Sequence, residues 1–326
     1  MQTSHESPAS LGGGRFKAIL KLKPACKNYI WGGRRLIKEF GIECDEKICA
    51  EAWTLSTHPD GATTLENGST LAEYIKRNGK KILGTNCRHF ETFPILVKFI
   101  DAAENLSVQV HPTDDYALIH EKQLGKSEMW YILDAAENSK LYCGFNRKIS
   151  KEEFIARIKN NTLLEVLNAM SARKGDVIFI PAGTIHAVGK GVLLAEIQQN
   201  SNVSYRVYDY GRPRPLHIDK ALDVTNLNPP QNRNESYPHL AACDYFVVDK
   251  LNLDGKILSA ARGTVDEKTF LNVLIADGNG KISCGDEEFL YSKGDSFLLT
   301  ADAGDWEICG QCDALLTTVP SYEKNF

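Results

Sequence analysis

The chain has 326 residues, 43% of them hydrophobic and 25% charged, and a formal net charge of −4. That length supplies two cores or one large core with insertions, while the charge, spread without long runs of one sign, lacks the basic stripe that nucleic acid requires. No segment approaches the roughly 20 apolar residues of a membrane helix, and Lys21 breaks the short run from Ala18 to Leu22.

Residues 1–14 are rich in Ser, Pro and Gly, lack the apolar stretch of a secretory signal, and read as a disordered leader outside the fold. Beyond them, short apolar runs bounded by Gly, Asn, Asp and Pro predict a mainly β protein. Strands are expected over 95–101, 107–111, 128–133, 176–180, 192–198, 246–253, 270–276 and 296–300. Helices are expected over 71–78 and 114–123. Ser150-Lys151-Glu152-Glu153 has the form of a capping box, and Phe154, Ile155 and Ile158 follow at helical spacing, so 150–170 reads as a helical insertion between strands.

A tripeptide recurs. Lys174-Gly175-Asp176 and Lys293-Gly294-Asp295 both precede an apolar strand and an Ala-Gly pair, at Ala182-Gly183 and Ala303-Gly304. Two similar hairpins, each needing a glycine at positive φ, predict two related β barrels. The segment 226–237, with Pro229-Pro230 and several Asn residues, is the expected linker. The predicted units are therefore 15–235, which holds the chemistry, and 236–326, a copy without metal ligands.

Nine cysteines form no regular framework, which favours a reducing cytoplasm. Cys309-Gly310-Gln311-Cys312 is the one close pair in sequence and reads as two ordinary cysteines of a late hairpin.

The densest chemical signal lies in the first unit. Residues two apart on a strand share a face, so Gln109 and His111 point inward together while Val108 and Val110 pack the other way. Glu128, on a second strand, and His186, after Ile180-Pro181-Ala182-Gly183, are placed to converge on the same interior. Two imidazoles, a carboxylate and an amide oxygen suit Zn²⁺. Read singly, His111 before Pro112 is a strand terminus and His186 a core histidine; read as a set of four, they are a metal site. Lys126, two residues before Glu128, places an ammonium beside that set, or else is an edge lysine in water. Arg206, set among aromatics, either grips an anion or pairs with Asp209. His58 and His120 read as structural, and His217 and His239 carry no assignment.

Gln109-Val110-His111-Pro112, Gly125-Lys126-Ser127-Glu128-Met129-Trp130-Tyr131 and Ile180-Pro181-Ala182-Gly183-Thr184-Ile185-His186 together resemble the short bacterial type I mannose-6-phosphate isomerases. The resemblance extends to Tyr29-Ile30-Trp31-Gly32-Gly33, Ala50-Glu51-Ala52-Trp53, Pro94-Ile95-Leu96-Val97-Lys98 and the run from Asn202 to Arg206. It implies two cupin-like (jelly-roll) β domains with a helical insertion in the first. It also implies one Zn²⁺ per chain on Gln109, His111, Glu128 and His186, with Arg206 and Lys126 catalytic. Trp31, Glu51 and Ser107 match further pocket positions of the family.

The reaction implied interconverts D-mannose 6-phosphate and D-fructose 6-phosphate through a cis-enediol(ate). The base is left open among Glu196, Lys126, His186 and a metal-bound water. Lys98 and Arg212 are the candidates for the phosphate, because the helical domain of the longer eukaryotic form has no room in this chain. Two other readings stand beside the isomerase: a non-catalytic sugar-phosphate-binding cupin and a metal-dependent cupin oxygenase. The partner expected is a small phosphosugar, with neither nucleic acid nor membrane, on a cytoplasmic monomer or homodimer.

Overall fold

The computed structural model describes residues 17–230 and 238–322. The leader and residues 231–237 of the expected linker lie outside them. The chain is mainly β, with its strands in three sheets.

The middle sheet runs in the order Val177–Ile180, Glu128–Ala135, Val192–Gln199, Ile95–Ala102, Glu51–Leu55 and Ala25–Lys27. Every pairing in it is antiparallel. A second sheet, Tyr205–Tyr208, Val108–Val110, His186–Val188, Lys140–Phe145 and Leu167–Ser171, lies across from it to complete the jelly roll. On its far side, the helices Lys151–Lys159 and Ile218–Val224 cover Val108, Val110 and Val207 with Phe154, Ile158 and Ala221.

Both faces of the middle sheet are buried, and the period-2 alternation of a strand sorts its residues between them. Met129, Tyr131, Leu133, Val97, Phe99, Leu193, Ala195 and Ile197 point away from the second sheet. They pack on Leu20, Phe246, Val248, Leu274, Leu298 and Leu315 of the C-terminal unit. The alternate residues, Trp130, Ile132, Ile100, Val192 and Leu194, pack against Leu141, Cys143 and Val188 inside the jelly roll. Burial on two sides explains why Ile95–Ala102 and Val192–Gln199 are buried along their whole length.

The C-terminal unit is one strongly curled nine-stranded sheet dominated by Leu271–Cys284 and Gly304–Thr318. It closes around Leu253, Val273, Ile275, Phe297 and Ile308. Ile19–Lys23 belongs to this sheet, pairing with Ser296–Leu299, and Thr64–Leu65 extends it. Within the expected first unit, 15–235, the N-terminal strand thus pairs with the C-terminal sheet, with Ile19 in one core and Leu20 in the other.

The repeated tripeptide makes the same turn twice. Gly175 and Gly294 have φ of 90° and 95°, and their N–H groups donate to Ile132 O and Ile275 O. Asp176 and Asp295 each accept from the backbone N–H three residues earlier, Arg173 and Ser292. Continuing this register, Glu128 pairs with Ile180 where Leu271 pairs with Leu299. It also sets Ala301-Asp302, not Ala303-Gly304, opposite Ala182-Gly183: Thr184 donates to Pro181 O as Ala303 does to Thr300 O.

The 150–170 insertion is shorter than the sequence pattern implies. Helix Lys151–Lys159 and a 3₁₀ turn over Leu163–Val166 are followed by strand Leu167–Ser171, which pairs with Lys140–Phe145. Ser150 Oγ accepts from Glu153 N, but the Glu153 carboxylate turns to Arg147 and Arg157, so the box is half made. The complete box is at Thr70 and Glu73, ahead of helix Leu71–Asn78. Among the described residues no helix is long and apolar enough to cross a membrane.

Phe99 is fully buried between the middle and C-terminal sheets, its ring 5.0 Å from that of Phe40. Phe99→Ala should cost about 3–5 kcal/mol in equilibrium denaturation. A loss below about 1 kcal/mol would mean that the two bodies do not share this core.

Candidate active site and metal centre

The alternation that buries apolar residues on one face of the middle sheet leaves Glu128, Glu196, Lys98 and Glu51 on the other, facing the second sheet. There Gln109 sits directly opposite His186 on one side and Arg206 on the other. The two sheets thus deliver their polar residues to one interior.

Four predicted ligands come together. Glu128 Oε2 is 3.4 Å from His111 Nε2, Glu128 Oε1 is 3.4 Å from His186 Nε2, and the Gln109 amide nitrogen is 3.4 Å from His186 Nε2. His111, Glu128 and His186 are at most 1% exposed, and their donor atoms all lie within 4.8 Å of one another. Each imidazole is oriented from behind: Nδ1 of His111 is 2.9 Å from Val203 O, and Nδ1 of His186 is 2.9 Å from Thr184 O. A carbonyl can only accept, so Nδ1 carries the proton and the Nε2 lone pair is directed at Glu128, the usual way of presenting histidine to a metal.

Two further observations test whether the set fits a cation. Burial, followed by the charge of Lys126, drives the His111 pKa down to about 3 and keeps the ring neutral. Burial alone would raise the Glu128 pKa, but Lys126 and the two histidines hold it well below the usual carboxylate range. Glu128 is therefore an anion at zero exposure, and neither of its oxygens accepts a well-formed hydrogen bond from the described residues. Its close neighbour is the Lys126 ammonium, 2.6 Å from Oε2. Neutral imidazole nitrogens and an ionised carboxylate are the donor chemistry Zn²⁺ takes.

A charged network continues from there. Lys126 Nζ is 3.2 Å from Glu196 Oε1, and Lys98 Nζ is 3.1 Å from the same oxygen and 3.2 Å from Glu51 Oε2. Trp130 donates to Glu196 Oε2 at 2.9 Å and Trp53 to Glu51 Oε2 at 2.7 Å. These two indoles are fixed parts of the site that the sequence motifs did not assign; their strand parity with Glu128 and Glu51, each two residues earlier, is the signal that would have found them. Lys98 lies between two carboxylates. Burial would lower its pKa, but Glu196 and Glu51 raise it. Its ammonium is therefore paired on both sides.

Trp31 is buried in the apolar wall of the jelly roll, against Tyr29 at a 5.6 Å ring separation. Its position depends on Gly32: a Cβ there would meet Ala50 Cβ at 2.2 Å. Ser107 is buried two residues ahead of Gln109 and joins the ligand set through no hydrogen bond among the described residues. Arg212 donates to Asp209 Oδ1 at 2.7 Å and Asn105 O at 2.8 Å.

Asp209 is the hub of an arginine cluster. Arg214, unassigned in the sequence, binds both its oxygens, at 2.7 and 2.6 Å. Arg206 is then only loosely tied to Asp209, 4.0 Å away, although its Nη1 donates to Pro215 O at 2.8 Å. Its Nε is buried without a hydrogen-bond partner among the described residues. Three guanidiniums around one carboxylate leave a net positive rim. The Tyr29 hydroxyl has its pKa raised, first by burial and then by Glu51, against the opposing charge of Lys98.

Three other histidines make contacts away from the ligand set. His58 is buried beside Trp53 and 3.3 Å from Gln123 Oε1, His120 stacks on Tyr116, and His217 accepts from Arg206 N. Cys309 and Cys312 lie on the long Gly304–Thr318 strand, paired with Ala260 and Leu253, rather than in a hairpin turn.

A histidine held neutral by burial binds a proton more readily unfolded than folded. The stability it confers is present above the ordinary value near pH 6.5 and is lost as pH falls toward about 3. In metal-stripped protein, the melting temperature should fall across that window less steeply for His111→Gln than for the parent; equal slopes would show that His111 is not held neutral.

A model described as phosphomannose isomerase type I, catalytic domain, matches residues 19–158, and one described as mannose-6-phosphate isomerase, cupin domain, matches residues 237–319. Mannose-6-phosphate isomerase ManA of Bacillus subtilis is 33% identical over 318 residues, covering 91% of this chain and 98% of that protein. The mannose-6-phosphate isomerase of Streptococcus mutans is 33% identical over 303 residues, covering 88% and 93%. The crystal structure of the Bacillus subtilis mannose 6-phosphate isomerase superposes with a TM-score of 0.83 at 32% identity, covering 92% of this chain and 99% of that one. Matched from its first strand to its last, the chain belongs to the type I mannose-6-phosphate isomerases.

Proposed function

We propose that this protein is a zinc-dependent aldose-ketose isomerase that interconverts D-mannose 6-phosphate and D-fructose 6-phosphate through a cis-enediol(ate). The observation that carries this reading is the meeting of two neutral imidazoles with the buried carboxylate of Glu128, in a chain whose relatives of the same length are mannose-6-phosphate isomerases. A mannose 6-phosphate isomerase of the same fold (TM-score 0.74, 17% identity) has been crystallised bound with zinc and yttrium.

Gln109, His111, Glu128 and His186 are the residues that would hold the ion, which when bound supplies a Lewis acid for the oxygens of the sugar. The charge balance agrees. Glu51, Glu128 and Glu196 exceed Lys98 and Lys126 by one formal negative charge, so a divalent cation turns the interior net positive, as an anionic substrate needs.

The isomerisation moves a proton between C1 and C2. Glu196 is well placed for that transfer. Trp130 fixes one of its oxygens and Lys126 and Lys98 face the other, so the carboxylate can take the carbon-bound proton while Lys126 serves the hydroxyls. Lys98, locked between Glu51 and Glu196, positions rather than reacts. With both histidines committed as ligands, neither is the base in this reading. Arg206, opposite Gln109 and with Nε unsatisfied, steadies the developing oxyanion. Arg212 and Arg214, at the positive rim, receive the phosphate. A sensor without turnover would have no use for Lys126 and Arg206 at these positions. The nine free cysteines accord with a reducing cytoplasm.

In a coupled assay, chelation should abolish conversion of mannose 6-phosphate, and adding back Zn²⁺ should restore it; activity that survives complete metal removal would overturn the zinc assignment. Arg206→Ala should lower kcat about 10²–10³-fold with metal content still near one per chain at the His/Glu site. Parallel loss of that metal would reassign Arg206 to scaffolding.

A further inference from the structure

A second cluster of metal-binding side chains lies outside the active site. Cys26, Cys44 and Cys49 come from three separate segments: the edge strand Ala25–Lys27, the irregular loop after helix Arg35–Phe40, and the approach to strand Glu51–Leu55. Their sulfurs all lie within 4.8 Å of one another. Cys49 is fully buried, whereas Cys26 and Cys44 are half-buried and reachable from solvent. The spacings in sequence, 18 residues and then 5, match no paired-cysteine motif, and folding alone gathers the three.

The loop is tied down on both sides of the cluster. Ile42 N donates to Leu36 O, Cys49 N to Gly33 O and Ala50 N to Lys27 O, which fixes the backbone at the entry and exit. Besides one another, the thiols meet backbone carbonyls: Cys26 reaches Glu43 O at 3.4 Å, Cys44 reaches Ile48 O at 3.8 Å and Cys49 reaches Glu51 O at 3.5 Å. A disulfide joins two sulfurs at about 2.0 Å and would leave the third unused. Around a tetrahedral zinc with Zn–S distances of about 2.3 Å, sulfurs stand about 3.8 Å apart, a separation compatible with three sulfurs lying within 4.8 Å of one another. Asp45, Glu46 and Lys47, between the second and third cysteines, are exposed.

We propose that Cys26, Cys44 and Cys49 form a second metal site, a three-thiolate centre for one thiophilic ion of the zinc class. It would pin the edge strand and the 41–50 loop to the strand that carries Glu51. Cys49 lies two residues before Glu51, and Cys26 is opposite Ala52 in the ladder, so the ion would stiffen the wall holding the Glu51–Lys98 pair. Its role is structural, and it contributes no group to the reaction.

Cobalt(II) separates this centre from the His/Glu site, because only thiolate ligation gives intense sulfur-to-cobalt charge transfer in the near ultraviolet. The full chain, kept reduced and titrated with cobalt(II), should develop that absorption, as should Glu128→Gln. Cys44→Ser and Cys26→Ser, shown folded by circular dichroism, should lose at least four-fifths of it. Should those variants not fold, the unmodified chain supplies the answer: stoichiometric Zn²⁺ should protect Cys26 and Cys44 from alkylation, as mapped by mass spectrometry. No charge transfer in the reduced parent, absorption that survives both substitutions, or unprotected Cys26 and Cys44 would each overturn the site.

Discussion

The middle sheet is buried on both faces, and one of those faces carries ions. Charges taken out of water are costly unless they compensate one another, so Glu51, Lys98, Glu196, Lys126 and Glu128 form a chain in which each ammonium touches two carboxylates. Once that chain exists, the rest of the site is constrained. Trp53 and Trp130 must turn their indoles toward the carboxylates, and the histidines must face Glu128 with Nε2 because carbonyls hold Nδ1.

The C-terminal unit shows what the same ladder does without ions. Where Glu128 pairs with Ile180 in one copy, Leu271 pairs with Leu299 in the other, and the interior closes around Val273, Phe297 and Ile308. The copy has not been idle. Its outer face supplies Phe246, Val248, Leu298 and Leu315 to the core behind the active-site sheet. It therefore acts as a hydrophobic backing for strands whose front is too polar to pack by itself, and the crossing of Ile19–Lys23 into its sheet ties the two bodies together from the start of the fold.

The arginine cluster illustrates how a hub residue decides which neighbour is available. Asp209 is almost fully buried, and both its oxygens are taken by Arg212 and Arg214. Arg206 is thereby released from the ion pair its place in sequence suggests and is held instead through Pro215 O and the backbone of its own strand. Burial and the two neighbouring arginines lower its pKa against the pull of Asp209, the signature of a guanidinium short of a counter-anion.

Strand parity was legible in the sequence, because alternation is a local property: it put Gln109 with His111 and opposed them to Val108 and Val110 without reference to any partner. Turn chemistry was legible for the same reason, and both Lys-Gly-Asp turns adopt the positive φ their glycines allow. Pairing was not. Whether Leu167–Ser171 continues a helix or joins Lys140–Phe145, which body receives Ile19–Lys23, and whether Lys98 is free or neutralised all depend on contacts between residues dozens of positions apart. Cys26, Cys44 and Cys49, nearer in sequence but in no recognisable motif, are likewise gathered only by folding. Residue type and spacing determine what chemistry a strand can offer; only closure of the sheets, which removes water and fixes the distances between strands, decides which of those offers meet.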